Sequence, residues 1–135
     1  MLTLGRNPES ALVAFVRAWF DLVGSGRLGE ACAALDQPTS YGESWTPARL
    51  ALALTEAFPP DSRLSREYPE GIRFTPASGA IGEPHVTFGS FDDGKGYWVD
   101  HDVPLNGVFS DLTAQFEFHG EGGRVGVALQ DLHVL

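Results

Sequence analysis

The chain has 135 residues, which is enough for one domain that buries about two-thirds of its unfolded surface. Hydrophobic residues make up 43% of it and charged residues 20%, proportions that exclude a disordered protein. The net charge is −9, and residues 75–135 carry nine acids but only two bases, Lys95 and Arg124. Such an acidic half argues against nucleic-acid binding and would attract a cationic partner or ligand, unless the charge serves solubility alone.

Nothing in the sequence indicates export or membrane insertion. Residues 1–7 lack the basic-then-apolar pattern of a signal peptide, and no run approaches the roughly 18 apolar residues of a membrane-spanning helix. Cys32 is the only cysteine, so an intrachain disulfide is excluded, and its small-residue surroundings indicate a packing role. One lysine against eight arginines is consistent with a GC-rich bacterial gene. We therefore expect a cytoplasmic bacterial protein, and we expect neither a metal nor a cofactor.

The first half of the sequence predicts three helices. The first begins at Asn7-Pro8, because a capping side chain followed by proline is a typical helix start, and it ends at Gly24-Ser25-Gly26. A short second helix covers about residues 28–35. The third begins at Thr46-Pro47 and ends before Pro59-Pro60. Apolar residues of the first helix recur at roughly 3.6-residue spacing and form one stripe, which contains Leu12, Phe15, Val16, Trp19, Leu22 and Val23.

The second half predicts a four-stranded antiparallel meander. Residues 59–84 are rich in Pro, Gly and Ser and predict a loop around a short extra strand at Ile72–Phe74. The meander begins with a strand over about residues 85–91. Its turns are expected at 92–95, Asn106-Gly107 and 120–123. Because the helix stripe and one sheet face must both be buried, the three helices should pack on one face of a curved antiparallel sheet. The sequence thus predicts a single α+β domain over residues 1–135.

The turn at Asn106-Gly107 fixes a register, because a two-residue type I′ loop pairs Leu105 with Val108. Counting outward along both hairpins places Leu112 between His101 and Asp131, and it collects an apolar set on one face. That face turns polar at one end only. The polar end contains His101, Ser110, Asp131 and His133. This arrangement predicts an apolar pocket with one polar end.

Asp131 and His133 are two residues apart on one strand, close enough for an oriented carboxylate–imidazole pair. Such a pair would raise the pKa of the imidazole and suit acid–base chemistry, with His101 across the pocket to polarise a carbonyl group. Further candidates for ligand contacts are Ser110, Trp19, Tyr41, Trp45 and Phe88. The alternative is a β-bulge near Gln130, which would turn Leu132 inward and leave the Asp–His pair in solvent.

The same register places like charges against each other on the opposite face of the sheet. Asp102 lies opposite Asp111 and two residues from Asp100, an arrangement that destabilises a sheet unless a cation compensates. A neighbouring arginine, a bound cation or a basic partner would serve. Trp98 and Phe109 are expected to be exposed on this face, which predicts a homodimer formed through it.

The order of elements resembles the nuclear transport factor 2-like superfamily, the cystatin-like α+β cone. The resemblance rests on the opening helix Leu12–Val23, the short helix after Gly24-Ser25-Gly26 and the long closing meander. Residues 102–113 and 130–135 also look like an uncharacterised bacterial family within that superfamily. The resemblance implies a curved sheet that wraps the first helix and leaves a cavity at its wide end.

Two classes of function follow from these patterns. The first is a non-catalytic binding domain, either for a small apolar ligand with one polar end or for a cationic protein partner, as in immunity proteins that block basic toxins. The second is a cofactor-independent lyase or isomerase of small carbonyl compounds that uses the Asp–His pair. The superfamily includes isomerases, dehydratases, polyketide cyclases and plain binding domains, so the resemblance does not choose between them.

Overall fold

The computed structural model describes residues 1–37, 42, 44–56 and 61–134. The architecture is α+β, as predicted, with a curled antiparallel sheet of five strands in the order β1-β5-β4-β3-β2. In chain order the elements are β1 Leu2–Thr3, α1 Pro8–Gly24, α2 Leu28–Ala33, α3 Pro47–Glu56, α4 Arg63–Glu67, β2 Val86–Ser90, β3 Gly96–Leu105, β4 Val108–His119 and β5 Arg124–Val134.

The helix α1 begins and ends where the sequence predicts. The Asn7 side chain accepts a hydrogen bond from the Ser10 N–H at 3.1 Å, and Pro8 occupies the first turn, where its missing N–H costs nothing. Its buried stripe packs on one face of the sheet, which we call the inner face. That stripe contains Leu12, Val16, Trp19, Phe20 and Val23. Trp19 packs edge-on against Phe116 of β4, with ring centroids 5.2 Å apart.

Two elements were missed from the sequence. The helix α4 lies in the segment predicted as loop, and its cap is Ser62, whose hydroxyl accepts a hydrogen bond from the Ser65 N–H at 3.2 Å. The strand β1 has only two residues, which is too short for a periodic signal, and it pairs with Val125 and Arg124 of β5. The short strand predicted near residue 74 is a single bridge between Phe74 and Leu105.

The predicted hairpin turn at Asn106-Gly107 is confirmed, with φ of 51° and 81° and with Leu105 paired to Val108. Beyond it the predicted register was wrong by two residues, because β4 bulges. The regular pairing is interrupted between Asp102 and Pro104, where β4 has extra residues. The Ser110 hydroxyl replaces part of it: it donates to the Val103 carbonyl at 2.7 Å and accepts from the Leu112 N–H at 3.2 Å.

A second bulge lies in β5, where the sequence offered it as the alternative. Phe116 pairs with Leu129 and Gln115 pairs with Asp131, so β5 contains one extra residue, Gln130, at this point. Beyond this bulge Leu132 turns to the inner face and packs against the core. The prediction that Asp131 and His133 lie on the inner face was therefore wrong, because one extra residue reverses which side chains face the core.

The predicted opposition of Asp102 and Asp111 was also wrong, because the β4 bulge separates the two residues. Asp102 pairs with Thr113 instead. The Asp111 carboxylate lies 3.0 Å from the Arg63 guanidinium of α4, which is the neighbouring arginine considered above. Phe109, expected on the opposite face, lies within 5.9 Å of His101 on the side of α1.

The close contact between α1 and the connection before β2 depends on Gly24. A Cβ atom there would lie 2.3 Å from backbone atoms of Thr75 and Pro76, which only a backbone shift could relieve. We expect Gly24→Ala to lower the free energy of unfolding by about 1–3 kcal/mol, as overpacking typically does. Urea unfolding followed by circular dichroism measures this.

Gly29 in α2 is the matched control, because a Cβ atom there meets nothing within 4 Å. Gly29→Ala should leave stability unchanged or raise it by about 0.5–1 kcal/mol, since alanine favours the helix. Equal losses in both variants would contradict the proposed contact.

Candidate functional site

His101 is fully buried on the inner face and is held at both ring nitrogens. Its Nδ1 lies 2.7 Å from the Asp102 carbonyl, and its Nε2 accepts a hydrogen bond from the Arg17 Nε–H at 3.3 Å. Phe20 and Phe109 lie against the ring, with centroids 5.2 and 5.9 Å away. This pattern fits a neutral ring that carries its proton on Nδ1, because Nε2 must be free to accept.

The surroundings of His101 disfavour its charged form. Desolvation lowers the pKa of the imidazole, and the Arg17 cation lowers it further, while the Asp102 carbonyl and carboxylate act in the opposite direction. A histidine that is bonded at both ring nitrogens holds α1 on β3. It has no free nitrogen to offer a substrate carbonyl.

The residues predicted to contact a ligand make structural contacts instead. The Trp19 indole N–H donates to the Ala31 carbonyl at 3.0 Å, and the Trp45 indole N–H donates to the Leu129 carbonyl at 3.3 Å. Phe88 stacks on Tyr97 with centroids 5.5 Å apart. Ser110 stabilises the β4 bulge, and Tyr41 lies outside the described residues. These side chains do not converge on one space.

The space between α1 and the polar end of the inner face is closed. A void there is lined almost entirely by apolar groups and is too small to admit a water molecule. Its lining includes Phe20, Val103 and Leu132, the residue that the β5 bulge turns inward. The bulge therefore fills the place where the sequence predicted a polar-ended pocket.

Asp131 and His133 are brought together, but on the opposite face of the sheet, which we call the outer face. The His133 Nδ1 lies 3.1 Å from an Asp131 carboxylate oxygen. The Asp131 side chain is 59% exposed and also accepts a hydrogen bond from the Leu132 N–H at 2.8 Å. His101 lies across the sheet from this pair, so the three residues do not form one site.

The outer face contains a groove that the sequence did not predict. It has a volume of about 280 Å³ and is lined by Phe91, Trp98, Asp100, Gln115, Phe116, Glu117 and Gln130. We call it the Trp98 groove. The Trp98 indole lies flat against Gly89 of β2, where a Cβ atom would come within 2.4 Å of the ring. Gly89 thus leaves the room that this tryptophan needs to lie along the face.

Carboxylates flank the indole on the neighbouring positions of the sheet. Glu117 is the cross-strand partner of Trp98, and Asp100 follows two residues later on the same face. Desolvation raises the pKa of the Asp100 carboxyl, while a hydrogen bond from Gln115 and the charge of His133 act in the opposite direction.

The acidic surface continues toward the β2–β3 and β4–β5 turns. Glu117 contacts His119 at 2.8 Å, and the His119 ring stacks on Phe91 with centroids 5.2 Å apart. A second depression at this end is lined in part by Asp92, Asp93, Glu121 and Lys95. Lys95 lies 3.6 Å from the Glu121 carboxylate, an exposed pair that offsets little of the surrounding charge.

The sequence contained a signal for this groove that the pocket prediction did not use. Trp98 and Asp100 alternate with core residues along β3, which places both on the solvent side of the sheet. Gly89 interrupts a strand interior, and glycine at such a position often marks a close approach by another group. Only the register shows that the glycine lies beside the tryptophan.

Comparison with known proteins finds no matching family model, no similar curated protein and no similar solved structure. The resemblance to the nuclear transport factor 2-like superfamily therefore stays a prediction. Among the described helices, none combines the length and apolar character that a membrane span requires. Within the described part of the chain, no three metal-ligating side chains are grouped closely enough to hold an ion.

The buried His101 predicts a pH dependence of stability. In the unfolded chain this ring takes up a proton near its ordinary pKa of 6.5, whereas in the folded protein it does so only at lower pH. Because the unfolded state then binds more protons, stability is complete above about pH 6.5 and falls as the pH drops below it. Urea unfolding between about pH 8 and about pH 5 should show this loss, and His101→Gln should reduce the slope.

Ser110→Ala is the control, because it removes a buried polar side chain that does not titrate. It should lower stability and leave the pH slope as in the wild type. A slope that is unchanged in His101→Gln would contradict the assignment of the proton uptake to His101.

Proposed function

We propose that the chain is a non-catalytic binding domain whose Trp98 groove receives a basic side chain of a protein partner. The observation that carries this proposal is an indole held flat on the sheet with carboxylates at neighbouring positions, Asp100 and Glu117. An aromatic face and carboxylates are the two groups that stabilise a guanidinium or ammonium ion at a surface.

The size of the groove favours a side chain over a free ligand. Sites for small molecules commonly occupy about 300–1,000 Å³ and enclose most of the ligand, whereas this groove of about 280 Å³ is open along the face. A single arginine or lysine side chain extending from a partner's surface fits such a groove. The small apolar ligand of the sequence analysis has less support, because the void beneath α1 does not admit even water.

The charge of the half of the chain that forms the sheet supports a basic partner. Residues 75–135 carry nine acids against two bases, and this stretch forms β2 to β5. A surface of one sign steers a partner of the opposite sign into contact and speeds association. An immunity protein that blocks a basic toxin is one protein of this kind, and a cytoplasmic location and a homodimer remain predictions beside it.

The lyase or isomerase hypothesis has weaker support. Acid–base catalysis requires the base and a polarising donor to face one substrate. Asp131 and His133 lie on the outer face, while His101 is buried on the inner face with both nitrogens engaged. The Asp–His pair therefore lacks His101 as the donor that would polarise the substrate carbonyl.

The test is a titration of the ¹⁵N-labelled protein with a peptide of alternating arginine and glycine. We expect chemical shifts to change first at the Trp98 indole N–H and at the amides of Asp100, Gln115 and Glu117, and binding to weaken as salt is added. Glu117→Gln should weaken binding about two- to fivefold, the effect of one exposed charge pair. Gly89→Ala should weaken it without changing charge, because the new methyl group displaces the indole.

Glu70→Gln is the matched control, since it removes an exposed carboxylate in the segment before β2. It should bind the peptide as the wild type does. If it weakens binding as much as Glu117→Gln, or if Gly89→Ala has no effect, the attraction comes from net charge and the groove is not the site.

A further inference from the structure

The two edges of the sheet are treated differently in this fold. The edge of β5 is covered: β1 pairs with its first residues, and Asp36 and Gln37 donate their N–H groups to the Val127 carbonyl at 2.9 and 3.1 Å. The Asp36 carboxylate accepts the Val127 N–H at 2.9 Å, and Trp45 donates to the next carbonyl of that edge, on Leu129. Three separate segments thus satisfy outward backbone groups of β5 between Arg124 and Leu129.

The opposite edge is β2, which pairs with β3 on one side only. Among the residues that the structure describes, none forms a ladder with its other side. His85 and Phe91 direct backbone groups to β3, since the His85 carbonyl accepts the Asp102 N–H and the Phe91 N–H reaches the Gly96 carbonyl. Backbone groups alternate in direction along an antiparallel strand, so Val86, Phe88 and Ser90 direct theirs away from the sheet.

The sequence of β2 does not protect this edge. Proteins usually discourage pairing at an open edge with a lysine, an inward charge, a proline or a bulge. Residues 86–90 read Val-Thr-Phe-Gly-Ser and contain none of these, and β2 pairs with β3 without a register shift. An edge that is regular, uncharged and open is suited to accept another strand.

We propose that β2 pairs with β2 of a second copy of this chain, antiparallel and centred on Phe88. In this register Phe88 faces its own counterpart, and Val86 of each copy faces Ser90 of the other. The N–H and C=O groups of all three residues then find partners, which satisfies every backbone group that the fold leaves open on β2. The two sheets become one continuous sheet of ten strands.

The match of β2 to itself favours a second copy over another partner. Residues 86–90 carry no charge, so two copies of this strand can lie side by side without repulsion. A twofold axis through Phe88 relates the two strands antiparallel, the closed symmetry of most dimers, and each copy then supplies the backbone groups that the other lacks.

The proposed interface is small, which sets its strength. Five residues from each copy bury less than the roughly 1,200 Å² of a stable standard interface, so the dimer should be weak and dependent on concentration. Phe88 is half-buried and stacked on Tyr97, and its counterpart would extend this row on the inner face. The proposal does not rest on the Trp98 groove, which lies on the face of the sheet rather than at its edge.

The test combines sedimentation velocity with amide hydrogen exchange at low and high protein concentration. We expect a monomer–dimer equilibrium in which the amides of Val86, Phe88 and Ser90 gain protection as concentration rises, while those of Thr87 and Gly89, which face β3, are protected throughout. Ser90→Pro removes one outward N–H per copy and no bond to β3, so it should weaken the dimer at least about tenfold. Ser90→Ala keeps the N–H and should dimerise as the wild type does.

Three results would overturn the proposal. The first is a monomer at all concentrations with unprotected amides at positions 86, 88 and 90. The second is a dimer that survives in Ser90→Pro with its circular dichroism spectrum intact, which would place the interface elsewhere. The third is protection of these amides by the arginine–glycine peptide and not by concentration, which would make the edge a site for a basic strand. Because that peptide is also the probe for the groove, the two proposals succeed or fail on different amides.

Discussion

A single extra residue in β5 decides what each face of this sheet can do. Without the bulge at Gln130, strand alternation would place Asp131 and His133 on the inner face beneath α1. With it, Leu132 takes the inward position and the acid and imidazole move to the outer face. Burying a carboxylate against α1 would require a partner that the apolar stripe of this helix does not supply, whereas burying leucine requires none. The bulge is the arrangement that lets the apolar stripe of α1 close over the sheet.

Much of the fold could be predicted because its signals are local. The Asn7 cap, the proline starts of α1 and α3 and the Asn106-Gly107 turn each act over a few residues, and all are confirmed. The register beyond the turn could not be predicted, because it depends on the bulge in β4 and on a serine hydroxyl replacing a backbone partner. Both features depend on tertiary packing. An error of one residue in the register changes which side chains face the core, and with it the location of the candidate site.

The inner face of the sheet contributes to stability, and the outer face carries the groups suited to recognition. On the inner face even the polar residue His101 is used to hold α1, through the Arg17 guanidinium and the Asp102 carbonyl. Arg17 in turn lies over the Phe109 ring at 5.9 Å. This one exposed side chain therefore contacts both His101 and Phe109. The polar groups of His101 and Arg17 are thus engaged in holding the helix on the sheet. The outer face retains charged and aromatic side chains at the Trp98 groove, which are the groups that recognition needs.

The acidic charge of the outer face also bears on the open edge at β2. Exposed strand edges invite uncontrolled aggregation, and proteins commonly prevent it with charge on the edge itself. Here the edge strand is neutral and the charge lies on the adjoining face, at Asp100, Glu117 and the acidic turns. Stacking of sheets face to face would bring these carboxylates together and is disfavoured, whereas pairing edge to edge keeps them pointing to solvent. The charge distribution thus permits one geometry of self-association and opposes the other, while the same carboxylates remain available to a basic partner.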